Sequence, residues 1–144
     1  MKEQNFKNHS QYVPMYHFVT GFLIVAGLIG AIINFVRALD HVSGRLTAAL
    51  LIIVFLIAAS FYWYARAFAL RAQDKAIRAE ENLRHYSITG RLMDESLSMG
   101  QIIALRFAPN EELVTLANRA MKENLRPRQI KEAIINWRAD HHRV

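Results

Sequence analysis

The chain has 144 residues, of which 53% are hydrophobic and 21% charged, with a formal net charge of +6 and no cysteine. That length holds one domain, or a small membrane part and a small soluble part. The missing cysteine excludes disulfides, thiolate catalysis and cysteine-ligated metal.

The first 13 residues hold Lys2 and Lys7 among Asn5, Asn8, His9 and Tyr12. Pro14 suits the first turn of a helix, where its missing N–H costs nothing. Tyr16 and His17 follow, and no charged residue occurs from Phe18 to Val36. A helix needs about 20 apolar residues to cross the hydrocarbon core, and in lipid its backbone must satisfy its own hydrogen bonds. The spacing therefore predicts a transmembrane helix over 14–40 with its core at 18–36. A secretory signal has a shorter apolar region, about 7–15 residues, and a small-residue cleavage site that is missing here. Within the span, Ala26, Gly27, Gly30 and Ala31 form two small-xxx-small pairs, 26/30 and 27/31. Such pairs let helix backbones approach closely in lipid, against the second span or another subunit.

A short turn at 41–45 contains Ser43-Gly44, and a second uncharged run extends from Leu46 to Ala65. It predicts a second transmembrane helix, 46–86, with its core at 46–65 and an extension beyond the membrane. Between Ala65 and Tyr86 there is no Gly or Pro, and good helix formers dominate. Ala65, Ala69, Ala72, Ala76, Ala79, Leu83 and Tyr86 alternate spacings of four and three, a heptad seam against which another helix can pack. Lys2, Lys7, Arg66, Arg71, Lys75, Arg78 and Arg84 flank the outer ends of the spans, whereas the connection has only Arg37 and Arg45. Lys and Arg collect on the cytoplasmic side, so both termini are expected there. Arg66, Arg71, Lys75 and Arg78 are placed to meet anionic lipid headgroups.

Gly90 ends the second helix and 87–97 reads as a linker, followed by a module at 98–144. Ser98 and Gln101 form a capping box before a short apolar helix. Pro109 breaks that helix, and Asn110 is expected to cap the next, with Glu111 and Glu112 at its positive end. Leu113, Leu116, Ala117, Ala120 and Met121 give it one apolar face. Pro127 starts a last helix in which Ile130, Ala133, Ile134 and Trp137 recur at helical spacing. A module this small buries little surface alone, so it is expected to lean on the preceding helix, a second copy or a partner.

The fold class expected is thus an all-α membrane protein: a transmembrane hairpin, its second helix extended into the cytoplasm, then a small three-helix module. The hairpin would gather Asn5, Asn8, His9, Tyr12, Tyr16 and His17 with Tyr62, Trp63, Tyr64 and Arg66 at the cytoplasmic interface. An aromatic belt accounts for the tyrosines and Trp63. It accounts less well for Asn5, Asn8, His9 and His17, which leaves a ligand site or a membrane-surface enzyme as a second reading. No catalytic constellation can be named. Neither His9/His17 nor His141-His142 has the spacing of a zinc site, so no metal or cofactor is expected. Residues 98–144 carry eight basic residues against five acidic ones, too modest an excess for a strong nucleic-acid footprint. Membrane-tethered DNA binding is therefore the least favoured reading.

The segments QNFKNHSQYVPMYHF, FALRAQDKAIRAEENLRHY, IIALRFAPNEEL and IKEAIINWRADHHRV resemble a family of small bacterial two-span membrane proteins, a domain of unknown function. The resemblance covers nearly the whole chain. It implies an integral protein of the bacterial inner (cytoplasmic) membrane with a helical cytoplasmic tail, and it supplies no activity. The reading that results is a non-enzymatic anchor, adaptor or accessory subunit. Its expected partners are the lipid bilayer and a second copy or another protein, met through the Ala65–Tyr86 seam (Ala69, Ala72, Ala76, Ala79) and the carboxy-terminal module.

Overall fold

The computed structural model describes residues 5–6, 12–40 and 44–140. Among the described residues the chain is helical and contains no strand. A π-helical turn, Met15–Thr20, leads into α1 (Gly21–Ala38), and α2 spans Arg45–Thr89. Three short helices follow, α3 (Met99–Leu105), α4 (Asn110–Lys122) and α5 (Pro127–Ala133). The chain forms two compact units, one of residues Tyr12–Ala69 and one containing Leu70 onward. Helix α2 has residues in both.

In the first unit the helical path starts at Pro14, with φ −57°. The Thr20 hydroxyl donates to Met15 O at 3.0 Å, closing the wide π turn. The glycine before α2, Gly44, has φ +96°, a left-handed conformation that costs glycine little. Arg45 Nε donates to Ala38 O at 3.1 Å, and its Nη2 donates to Leu39 O. A cation is thereby set on the negative end of α1, where unpaired carbonyls accumulate. Gly27 meets Phe55 of α2 so closely that a Cβ there would lie 2.1 Å from the Phe55 ring. Ala31 and Ala48 are buried. The pair 27/31 thus borders on side chains of its own unit, whereas Ala26 and Gly30 are exposed. Helices Met15–Ala38 and Arg45–Thr89 each contain a stretch long and apolar enough to cross a membrane, and only 6% of each such stretch is buried.

The second unit has a conventional core. Ile77 of α2 joins Met93, Leu97, Ile102, Leu105, Leu113, Leu116, Leu125 and Ile130 in one buried cluster. The segment expected as a linker, 87–97, therefore contributes Met93 and Leu97 to this core. Each short helix has a defined start or stop. In the Ser98 capping box, Gln101 N donates to Ser98 Oγ at 3.3 Å, and Ser98 N donates to Gln101 Oε1 at 2.8 Å. An N-cap of this kind contributes about 0.5–2 kcal/mol. The buried Gln101 amide also donates to Leu125 O at 2.9 Å, tying α3 to the end of α4. Asn124, with φ +47°, ends α4, and Leu125 N reaches back to Ala120 O at 3.0 Å. That is the Schellman pattern, and it buries Leu125.

Two local expectations are corrected. The N-cap of α4 is Pro109, without a side-chain cap, and Asn110 is the first helical residue. The last helix ends at Ala133, and Ile134 is extended, with ψ 123°. The helical spacing of Ile130, Ala133, Ile134 and Trp137 is interrupted because other groups claim the backbone. Glu112 accepts from Ile135 N at 3.0 Å and Asn136 N at 2.9 Å. Arg138 N donates to Phe107 O at 2.8 Å. Trp137 reaches the core from this extended tail and stacks on Phe107, centroids 4.6 Å apart.

Candidate functional site

The residues expected at the membrane interface fall into three groups. Tyr12, Tyr16, His17, Tyr62, Trp63, Tyr64 and Arg66 all lie in the first unit. Asn5 is exposed and lies outside that unit. Asn8 and His9 lie outside the described residues, as do His141 and His142.

Within the first group the contacts are specific. The Tyr16 ring stacks on Tyr62, with centroids 4.5 Å apart and planes 14° from parallel. The Tyr16 hydroxyl donates to the Tyr62 carbonyl. In the helix interior that carbonyl already serves the helix ladder, and its second lone pair takes the tyrosine. Tyr62 in turn lies against Gly21, whose added Cβ would meet the Tyr62 hydroxyl at 3.2 Å. His17 Nδ1 is 2.9 Å from Val13 O and 3.1 Å from Val13 N, so either tautomer is engaged by the start of its own helix. Its ring also meets Tyr12 and Tyr16 edge-on, at 5.5 and 5.3 Å. Trp63 and Tyr64 point outward, and Tyr64 stacks on Phe68 at 5.6 Å. A collar of aromatic rings with polar tips results. Among the described residues it contains no paired acid and base, and His17 is used in local structure.

The polar site that the sequence did not disclose lies in the second unit. Glu81 of α2 is buried and Arg84 mostly so, and Arg84 Nη1 donates to Glu81 Oε2 at 2.8 Å. Arg84 also donates to Ala108 O at 2.5 Å and Arg106 O at 3.4 Å, the carbonyls that follow α3. Arg138 of the tail lies 3.6 Å from the other Glu81 oxygen. Asp140 lies 3.4 Å from Nε of the buried Arg106. Burial pushes the Glu81 carboxyl above the ordinary carboxylate range, although Arg84 and Arg138 pull it down. Burial likewise lowers Arg84, against the pull of Glu81. A cavity of about 290 Å³ adjoins the cluster, with Ile77, Glu80, Arg106 and Asp140 in its wall. The arrangement joins the extended tail and the end of α3 to α2 through charge. A buried pair of this kind adds little net stability, but removing one partner is costly.

A second cavity of about 320 Å³ lies between the end of α2 and α4, where His85, Thr89, Asp94 and Asn118 supply its polar wall. His85 Nδ1 is 2.8 Å from Arg91 O and 3.2 Å from the Thr89 hydroxyl. Ser96 donates to Asp94 and holds its carboxyl below the usual range. Among the described residues, no group of three or more His, Asp or Glu side chains is arranged to hold a metal ion.

Comparison with known proteins adds one observation. A family model described as "Family of unknown function (DUF6526)" matches residues 1–144. The chain belongs to this family. No curated protein and no solved structure matches it. In this family member the cations expected at headgroups, Arg71, Lys75 and Arg78, are exposed, and Arg66 is half-buried. Every seam residue, Ala65, Ala69, Ala72, Ala76, Ala79, Leu83 and Tyr86, is exposed as well. Sequence reasoning missed Glu81 because nothing local separates it from its exposed neighbour Glu80. The available signal was spacing: Ile77, Glu81 and Arg84 share one helical face, opposite the alanine seam.

Proposed function

We propose that this family member is an integral membrane protein acting as a non-enzymatic anchor, with its two apolar helices crossing the bilayer as a hairpin. The single observation that carries this reading is the exposure of large apolar side chains. Phe18, Phe22, Leu23, Val25, Leu50, Ile53, Leu56 and Phe61 are all exposed. A helix buried in a soluble core would cover these groups, and monomeric soluble proteins rarely leave so continuous an apolar surface in water. Lipid chains would solvate such a surface, which includes the apolar face of α2 from Ile53 to Phe68. The contacts of Gly27 with Phe55 and of Tyr16 with Tyr62 support the two spans lying side by side. The collar of Tyr12, Tyr16, Tyr62, Trp63 and Tyr64 suits the headgroup boundary, where rings keep one edge apolar and one wet.

The basic residues Arg66, Arg71, Lys75, Arg78 and Arg84 follow the second span, so we assign that end, and both termini, to the cytoplasmic face of a bacterial inner membrane. The helical unit that follows Leu70 is then the part offered to partners. Because the chain has no cysteine, single cysteines report topology directly. With a membrane-impermeant maleimide on intact cells, Asp40→Cys is expected to label, and Glu95→Cys to label only after permeabilisation. Labelling of Glu95→Cys from outside, or of both sites equally, contradicts the assignment.

A further inference from the structure

Beyond Leu70, helix α2 has two unlike faces. Ile77, Glu81 and Arg84 are turned into the core and the charge cluster. The opposite face carries Ala72, Ala76, Ala79, Leu83 and Tyr86, spaced four, three, four and three, and all five are exposed. Leu83 and Tyr86 leave 69% and 53% of their surface open. A sustained alternation of four and three is the register of helix-on-helix packing, and alanine at successive core positions lets two backbones come close. The flanks of this face are charged with opposite sign. Lys75 stands on one side of the seam, in the position that heptad notation calls g, and Glu80 on the other, in the next e position. In a parallel pair of helices a g residue faces the following e residue of its partner. Lys75 of one copy then meets Glu80 of the other, and symmetry makes the contact twice. Among the described residues neither side chain has an ion pair within its own chain.

We propose that α2 pairs in parallel and in register with α2 of a second copy of this chain, through the Ala72–Tyr86 face, with reciprocal Lys75–Glu80 contacts. This rests on the membrane reading, because copies inserted with one topology can bring α2 together only in parallel. Confinement to one bilayer also raises the effective concentration of the partner helix, so a thin alanine interface suffices.

The test uses the full chain in native membranes. Ala76→Cys, on the seam, is expected to give a disulfide-linked dimer on mild oxidation, and Arg78→Cys, off the seam, is not. In the Ala76→Cys background, Lys75→Glu or Glu80→Lys alone places like charges opposite each other twice. Each is expected to lower dimer yield about five- to tenfold, and the double exchange to restore it. No dimer from Ala76→Cys, an adduct with a different protein, equal yields at 76 and 78, or no rescue by the double exchange overturns the proposal. Alkaline extraction of the same membranes separates the two readings. A chain that stays in the pellet without dimer refutes only the pairing, and a chain released to the supernatant refutes the membrane anchor.

Discussion

Leu56 and Leu113 both lie on helices of this chain, yet Leu56 leaves 51% of its surface uncovered and Leu113 leaves none. The same contrast holds for the units to which they belong. Residues 12–69 direct most of their large side chains outward. Residues 70–140 enclose Ile102, Leu105, Phe107, Leu113 and Ile130 and admit charge only where it is paired. Both are rich in Leu, Ile and Ala, but the charge-free runs 18–36 and 46–65 lie in the first. A second difference is where the apolar atoms go, outward in the first unit and into a core in the second.

The contrast can be strained at several points. The largest effect is expected from Glu81→Ala, which leaves the mostly buried Arg84 without its carboxylate and loosens Arg138. Loss of one partner of a buried pair costs roughly 3–5 kcal/mol. Hydrogen exchange of the full chain in nanodiscs should show faster exchange through α3, α5 and the tail, with residues 18–36 unchanged. Next comes Leu113→Ala, at about 2–5 kcal/mol for a core cavity. Leu56→Ala, in a side chain already half uncovered, should cost far less by the same measurement. Equal costs would mean that Leu56 is packed by protein. Gly27→Val is smaller still, about 1–3 kcal/mol, because the new side chain collides with Phe55. Crosslinking between cysteines placed on α1 and α2 should weaken in that variant, whereas Gly30→Val, with open space at its Cβ, should leave it intact.

The smallest effect is in pH. Burial raises Glu81 in the folded unit, so the folded state holds its proton more tightly than the unfolded chain. Its contribution to stability therefore falls as pH rises from the ordinary value of 4.5 toward the folded value, and is level above it. Glu81→Gln should flatten that portion of a denaturation profile. A slope of the opposite sign would mean that Arg84 and Arg138 outweigh burial.

Much of the local architecture is legible in the residues. Ser98 with Gln101, Pro127 at the start of α5 and Gly90 after α2 act through contacts within a few positions, so sequence suffices to place them. The apolar period of α4 is equally direct, since Leu113, Leu116, Ala117 and Ala120 are its buried face. What escapes is decided at long range. Nothing near Ile134 tells that Glu112, more than twenty positions earlier, will take the next two amides and end the helix. Nothing near Glu81 distinguishes it from Glu80 until the packed face of α2 is known. The π turn over Met15–Thr20 follows Pro14 without a composition signal of its own. In the collar, the Tyr16–Tyr62 stack and the engagement of His17 with Val13 depend on side-chain geometry.

The two tryptophans fall one in each unit and allow a direct test of the central claim. Trp63 is 71% exposed on the collar, and Trp137 stacks on Phe107. In full-length chains carrying Trp137→Phe or Trp63→Phe, fluorescence is measured in vesicles containing lipids brominated along the acyl chain. The account predicts strong quenching of Trp63 and none of Trp137. Equal quenching of both, or no quenching of Trp63, would contradict a membrane-embedded first unit and a self-enclosed second one.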